Sequence, residues 1–291
     1  MTGALMTGET ELLDLAAGRC DRPFDLLGPH DGPDGRRLTV FHPDLARLRV
    51  ISGDRVTELP RLSGDLFAGP IPPGPYLLRA ETGGGVTWDF DDPYRFGPVL
   101  GELDLHLIGE GTHRQLWDVL GAHVMAHEGV PGTHFAVWAP NAQRVSVVGA
   151  FNGWDGRRHP MRHLSSGLWE IFLPGIAEGA LYKYEILDAQ GAVLQKADPM
   201  GFGSQHPPEK ASVVRDITGY GWHDDGWMAT RAGAQDRSAP VSIYEVHLGS
   251  WRRRWDQGGR PLSYREHARD LVDYVRDMGF THIELMPVSE F

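Results

Sequence analysis

A short run, Asp25-Leu26-Leu27-Gly28-Pro29-His30, returns 93 residues later as Asp118-Val119-Leu120-Gly121-Ala122-His123. It is not alone. Phe41-His42-Pro43-Asp44 with Leu48-Arg49-Val50 returns as Trp138-Ala139-Pro140-Asn141 with Val145-Ser146-Val147. Leu66-Phe67 is echoed by Leu168-Trp169, Pro73-Gly74-Pro75-Tyr76 by Glu178-Gly179-Ala180-Leu181-Tyr182, and Asp92-Pro93 by Asp198-Pro199. The offset grows from 93 through 97 and 102 to 106, as small insertions along a duplicated domain would make it grow. Each match is short, but their common order restricts the chain to two tandem copies of one module, about 20–105 and 113–220.

Both copies read as β-sandwiches. In the second, Trp169, Ile171 and Leu173 share one face of a strand. Tyr182, Tyr184 and Ile186 share a face of another, leaving Lys183 and Glu185 on its opposite side. Asp188-Ala189-Gln190-Gly191 supplies a hairpin turn before Val193-Leu194. Between the copies, a short helix is expected around Arg114–Leu120. From Tyr220 to Pro240 the chain turns polar and reads as a connector. Val241–Leu248 then reads as a strand. Ser263-Tyr264-Arg265-Glu266 is a capping box opening a helix with Tyr264, Ala268, Leu271, Val272 and Val275 on one stripe. Gly279 ends it, and Phe280–Pro287 follows as a second strand. Strand, helix and strand make a right-handed βαβ unit with parallel strands. Such strands need covering on both faces or closure into a barrel of ~250 residues. The expected fold class is therefore mainly β: two tandem immunoglobulin-like sandwiches, then the first βαβ unit (241–291) of a truncated (β/α)8 barrel.

The net charge of −11 argues against a nucleic-acid partner and against an anionic membrane surface, while leaving a neutral polymer compatible. Cys20 is the sole cysteine, which excludes an intrachain disulfide and fits a reducing compartment. No apolar run approaches the length of a membrane span and the first residues do not read as a signal peptide, so a cytoplasmic protein is expected. No cofactor is expected. Gly83-Gly84-Gly85 precedes no helix and so cradles no phosphate. His123, His127 and His134 lack the partners and spacing of a metal site.

The segment that points to chemistry is Ala150-Phe151-Asn152-Gly153-Trp154-Asp155. Asn152-Gly153 is a turn pair in which both residues tolerate positive φ. It ends the Arg144–Val148 strand and turns Trp154 outward, where its flat face offers a stacking platform for a sugar ring. A corner tryptophan folded over the core is the structural alternative. Lys183 lies on a strand in a chain with only three lysines (183, 196 and 210).

His134-Phe135-Ala136-Val137-Trp138-Ala139-Pro140-Asn141-Ala142 followed by Val148-Gly149-Ala150-Phe151-Asn152-Gly153-Trp154 resembles the family-48 carbohydrate-binding module. Together with Ala180–Ile186, Lys196-Ala197-Asp198-Pro199, Ile243–Trp251 and Gly279–Val288, these runs make the chain similar to the bacterial glycogen branching enzyme family. The resemblance implies two sandwiches ahead of an alpha-amylase-superfamily barrel. It also implies glucan transfer by retaining double displacement, with carboxylates ~5 Å apart and a 6-hydroxyl as acceptor. The family's catalytic carboxylates come from later barrel strands, so no catalytic residue is assigned in this chain. Asp273, Asp277, Glu284 and Glu290 are expected to be structural or solvated. The resemblance further implies that Trp154 stacks on glucose and that Lys183 hydrogen-bonds its hydroxyls. Relatives carry a second Trp after the Gly191 turn, where this chain has Val193-Leu194, so weak binding is expected. Two other readings stay open here: a non-catalytic glucan-binding or regulatory protein, and a debranching or trehalose-releasing hydrolase of the same superfamily.

Overall fold

The computed structural model describes residues 11–33 and 35–288. Residues 1–218 form one unit and 219–291 another.

The first copy is two antiparallel sheets. One runs β1 (Gly28–Gly32), β2 (Gly35–Phe41), β6 (Leu66–Pro70), β5 (Arg61–Ser63); the other runs β4 (Arg55–Leu59), β3 (Leu45–Ser52), β7 (Leu77–Thr82), β8 (Thr87–Phe90). Alternation turns Leu38 and Val40 of β2, Leu48 and Val50 of β3, and Leu78 and Ala80 of β7 inward, where they meet Phe67 in a dry core. Each such side chain contributes ~1.5–3 kcal/mol on burial.

The second copy repeats the arrangement except at the edge that β4 occupies in the first. β9 (Gly121–His127), β10 (Val130–Trp138), β13 (Leu168–Pro174) and β12 (Arg162–His163) form one sheet. β11 (Ala142–Gly149), β14 (Leu181–Asp188) and β15 (Val193–Lys196) form the other, with β16 (Ser212–Val213) against β14. Trp169, Ile171 and Leu173 face Tyr182 and Tyr184 across the core, as the alternation requires.

The duplication reaches single side chains. The Tyr76 hydroxyl donates to Asp92 Oδ2 at 2.7 Å, and the Tyr182 hydroxyl to Asp198 Oδ2 at 2.6 Å. His30 Nε2 donates to the Leu27 carbonyl and His123 Nε2 to the Leu120 carbonyl, both at 3.0 Å. Gly28 (φ +85°) presses on the Tyr94 carbonyl and Gly121 (φ +101°) on that of Met200, where a Cβ would sit 2.6 and 2.9 Å from the oxygens. The two sandwiches are also fused: Leu27, Phe41, Leu66 and Tyr94 of the first copy belong to the second copy's core.

Glu170 fastens the linker between the copies. On β13 it points away from the core, yet it is 1% exposed, because the chain through residues 96–100 lies over it. It accepts from the Val99 and Leu100 amides (3.1 and 3.0 Å), from His134 Nε2 (2.9 Å) and from Arg162 (3.3 Å). Burial works to raise its pKa, but these donors outweigh burial and hold the carboxyl below its usual range. Burial lowers the pKa of His134, so the pair is a neutral imidazole donating to a carboxylate.

Three local expectations change. The linker helix is Glu102–Gly109, and the segment expected to be helical around Arg114–Leu120 holds only a 3-10 turn, Leu116–Asp118. That turn repeats the Pro23–Asp25 turn of the first copy, so it belongs to the sandwich. The expected connector contains a helix, Asp225–Ala234, with no buried residue. In the second unit, strands β17 (Ile243–Val246) and β20 (His282–Leu285) pair in parallel around the helix Tyr264–Asp277. Ser263 and Glu266 form the capping box, and Gly279 takes φ +78° after the helix. Its buried line is His267, Leu271 and Val275, packed with Tyr244, Tyr274 and Phe280. Tyr264, Ala268 and Val272 of the expected stripe are exposed, because the strand pair is narrow enough to be covered by one edge of the helix. Asp273, Asp277 and Glu284 are exposed, and Glu290 lies outside the described residues.

Candidate carbohydrate-binding site

Strand β11 ends at Gly149, which only glycine can occupy, since a Cβ would collide with the Leu181 carbonyl and the Phe151 ring. A 3-10 turn, Ala150–Asn152, follows. Asn152 is a structural pin rather than a left-handed turn residue. It is 2% exposed; its Oδ1 accepts from the Gly149 amide at 2.9 Å, and its Nδ2 donates to the Val147 carbonyl (2.8 Å) and to His159 Nδ1 (2.9 Å). The positive φ angles fall instead on Gly153 (+65°) and on Trp154 itself (+60°), whose amide donates to the Gly149 carbonyl at 2.9 Å. A left-handed conformation costs a bulky residue ~1–2 kcal/mol and persists only where the surroundings impose it. The strain sits on the residue singled out as the platform.

Lys183 lies on the sheet face that the loop carrying Trp154 crosses. Directly opposed residues of antiparallel strands share a face. Val148 opposes Lys183, Ser146 opposes Glu185, Glu185 opposes Gln195, and Leu187 opposes Val193. These residues form the outer face of the β11–β14–β15 sheet, and the 150–158 loop folds back across it. Gly156 fits against Glu185 with no room for a Cβ. Arg144 holds the loop from below, donating to the Gly156 carbonyl at 3.0 Å and to Glu185 Oε1 at 2.8 Å. At the loop's far side Asp155 accepts from Arg157 at 2.6 Å. Burial pushes Asp155 upward, but the Arg157 bonds prevail and keep its carboxyl below the usual range.

Trp154 and Lys183 are both half-buried. Among the described residues, neither the Trp154 indole N–H nor the Lys183 ammonium has a hydrogen-bond or ion-pair partner. No direct contact joins the two side chains among those residues. Of Val193-Leu194, Val193 lies on this same face and is 57% exposed. The face thus offers one strained aromatic, one free ammonium and the polar edges of Glu185 and Gln195. Those are the groups that grip a neutral polyhydroxylated ring, by stacking and by hydrogen bonds. The His cluster is dispersed: His123, His127 and His134 bond separately to Leu120, Gly97 and Glu170. Sequence reasoning placed Glu185 on the face of Lys183 but missed Asn152 as the pin and Gln195 on that same face. The alternation of β14 carried the signal for Glu185.

Two fused sandwiches, the second with an aromatic-bearing turn at the end of β11, make up the described part of the first unit. Residues 119–201 match the family described as Carbohydrate-binding module 48 (Isoamylase N-terminal domain). Residues 8–94 match the alpha-1,4-glucan branching enzyme GlgB, N-terminal domain. The chain is 56% identical to the 1,4-alpha-glucan branching enzyme GlgB of Roseobacter denitrificans, over 97% of its own length and 40% of that protein's. It is 53% identical to that of Rhodospirillum rubrum (95% and 39%) and 50% identical to that of Rubrobacter xylanophilus (98% and 40%). The chain therefore corresponds in sequence to the N-terminal part of the 1,4-alpha-glucan branching enzymes. It spans about 40% of the length of these relatives.

Proposed function

We propose that the chain is the glucan-holding N-terminal part of a 1,4-alpha-glucan branching enzyme of glycogen biosynthesis. Such an enzyme cleaves an α-1,4 bond and transfers the chain to a 6-hydroxyl. The proposal includes its division into a sandwich at 20–105, a carbohydrate-binding sandwich at 113–220 and the start of a barrel from 241. It also includes a cytoplasmic location, with glycogen and linear maltodextrin as partners. Among the described residues no helix is long and apolar enough to cross a membrane. The chemistry is assigned to carboxylates of a barrel that the parallel β17–β20 pair begins, and the chain's own task is to hold polymer near it.

One observation carries the binding reading: a tryptophan in a strained left-handed conformation, on the loop that crosses the sheet face holding an unpaired lysine. The test is a maltoheptaose titration followed by calorimetry. Trp154→Ala is expected to weaken binding about fivefold, the worth of one aromatic platform at ~1 kcal/mol, and Lys183→Ala to weaken it further. Unchanged affinity in both variants refutes the site. For the enzyme as a whole, the chain continued through a complete barrel is expected to introduce α-1,6 linkages into amylose. Release of free sugar alone would refute a branching reaction.

A further inference from the structure

The 150–159 segment has a second face. Opposite Trp154, its residues Phe151, Arg158 and His159 turn toward the first sandwich and close a cavity of about 370 Å³ against His42, Trp88 and Phe90. That volume lies within the ~300–1,000 Å³ of small-molecule sites. Trp88 and Phe90 lie on one face of β8, opposite Ala80 and Leu78. Trp88 is 38% exposed, an aromatic left open at the rim. The His42 ring leans on both, with centroids 6.1 and 5.9 Å away.

The polar groups of this wall are fixed, and several are unspent. His42 Nδ1 faces the Pro43 carbonyl at 2.9 Å, so the proton is on Nδ1 and Nε2 is an acceptor. His159 is oriented the other way. Asn152 must direct Oδ1 at the Gly149 amide, which turns its Nδ2 toward His159 Nδ1 at 2.9 Å and leaves the proton on Nε2. Arg158 gives Nη2 to Asp44 at 3.0 Å, while its Nε is buried without a partner. The cavity therefore presents one free acceptor and one free donor, the Nε2 atoms of His42 and His159, around an aromatic wall lined also by Arg158. Each hydroxyl of a vicinal diol both donates and accepts, so the set matches a pyranose edge.

An anion fits poorly. Burial depresses both histidines and keeps them uncharged, His159 down to about 3. The neighbouring charges are already paired: Arg79 with Asp89, Arg95 with Asp91, Arg158 with Asp44. Asp92, the remaining carboxyl of the lining, is held by the Tyr76 hydroxyl and the Tyr94 amide, and its charge further disfavours an anion.

The geometry points to a second saccharide site between the two sandwiches, in which a glucose unit of an α-1,4-glucan stacks on Trp88 and is read by His42, Arg158 and His159. The choice of ligand rests on the α-glucan reading above; the site is separate from the Trp154 face. Glucan could then engage both sides of one loop.

The experiment uses the 291-residue chain, with maltoheptaose and inorganic phosphate as probes. Tryptophan indole N–H resonances are followed by NMR alongside calorimetry. In the Trp154→Ala chain, maltoheptaose is expected still to move the Trp88 signal. Adding Trp88→Ala is expected to lower the residual affinity at least about fivefold. Loss of every maltoheptaose response on Trp154→Ala alone overturns the second site and leaves the first standing. Full affinity in Trp154→Ala with loss in Trp88→Ala sinks the first site and upholds the second. A Trp88 signal that moves with phosphate and not with maltoheptaose overturns the inference. Should Trp88→Ala fail to fold, the Trp88 signal in the Trp154→Ala chain decides alone, and Arg158→Gln, expected to weaken the same response, checks it.

Discussion

Replacing Asp92 with Asn should stabilise the protein at neutral pH and leave it nearly unchanged at pH 4. Asp92 is 1% exposed beneath the first sandwich. Its carboxyl accepts from the Tyr76 hydroxyl at 2.7 Å and from the Tyr94 amide at 3.0 Å. Burial is the largest influence and outweighs both bonds, pushing the pKa from 3.8 up to about 6. A carboxyl raised in the folded state binds more protons there than in the unfolded chain between these two values. Stability is therefore full below pH 3.8, falls as pH rises toward 6 and is flat above. About two pH units at ~1.4 kcal/mol each amount to roughly 3 kcal/mol, a large part of the ~5–15 kcal/mol of a typical domain. Asparagine keeps the shape: its Oδ1 still accepts from Tyr94, and its Nδ2 donates to a Tyr76 oxygen that turns to accept. Chemical denaturation of wild type and Asp92→Asn at pH 4 and pH 8 measures the effect. The advantage of the variant should grow by about 3 kcal/mol across that range. A difference that does not change with pH, or that changes in the opposite sense, would show that the ionised carboxylate is the form the fold prefers. Asp198, its counterpart in the second copy, is also raised chiefly by burial, and Asp198→Asn should behave in the same direction.

Two further perturbations separate structure from binding. Glu170→Ala removes the acceptor of four donors and leaves Arg162 uncompensated beneath the linker; it should cost about 3–5 kcal/mol in thermal unfolding, and a loss under ~1 would mean that the linker is held by its apolar contacts. Asn152→Ala breaks three bonds of ~0.5–1.5 kcal/mol each, so it should lower both stability and maltoheptaose affinity. Trp154→Ala should lower affinity alone, and equal destabilisation by the two variants would make Trp154 a core residue.

The sequence carried the architecture well because duplication imposes the same demand twice. Tyr76 with Asp92 and Tyr182 with Asp198 are legible as a repeat before either is known to be a hydrogen-bonded pair. The linker helix was hidden by its own composition. Leu103, Leu105 and Leu107 alternate as a strand would, and the helix forms because Leu105 and Ile108, three apart, pack on Leu116, Leu120 and Leu164. Glu170 carried no signal in the sequence, since what covers it comes from some 70 positions earlier. Trp154 and Lys183 were found from turn and alternation, but the strain at Trp154 was not. Side-chain bonds of Asn152 determine which turn residue takes positive φ, and dipeptide preference does not encode them. The cavity against the first sandwich had no local signature: His42, Trp88 and His159 lie on segments far apart in the chain.

The duplication also explains why the residues proposed to face sugar occur once. In the first copy, β3 passes to β4 through the tight turn at Gly53-Asp54, with Ser52 paired to Arg55. In the second, the matching edge of β11 pairs only briefly with residues 159–161, through the Ser146–Pro160 bridge and the Val147–His159 and Met161–Val145 bonds. The chain between is the 150–158 loop, which has replaced most of a β4-like strand. Where Lys183 stands on β14, the equivalent 106 residues earlier is Leu77 on β7, 38% exposed and without a polar group. One copy kept its edge strand and serves as scaffold. The other exchanged that strand for a loop whose pin, Asn152, aims Trp154 over one face and His159 toward the scaffold. The proposed binding groups thus stand where the two copies differ, and the β8 edge of the first copy supplies the wall of the cavity.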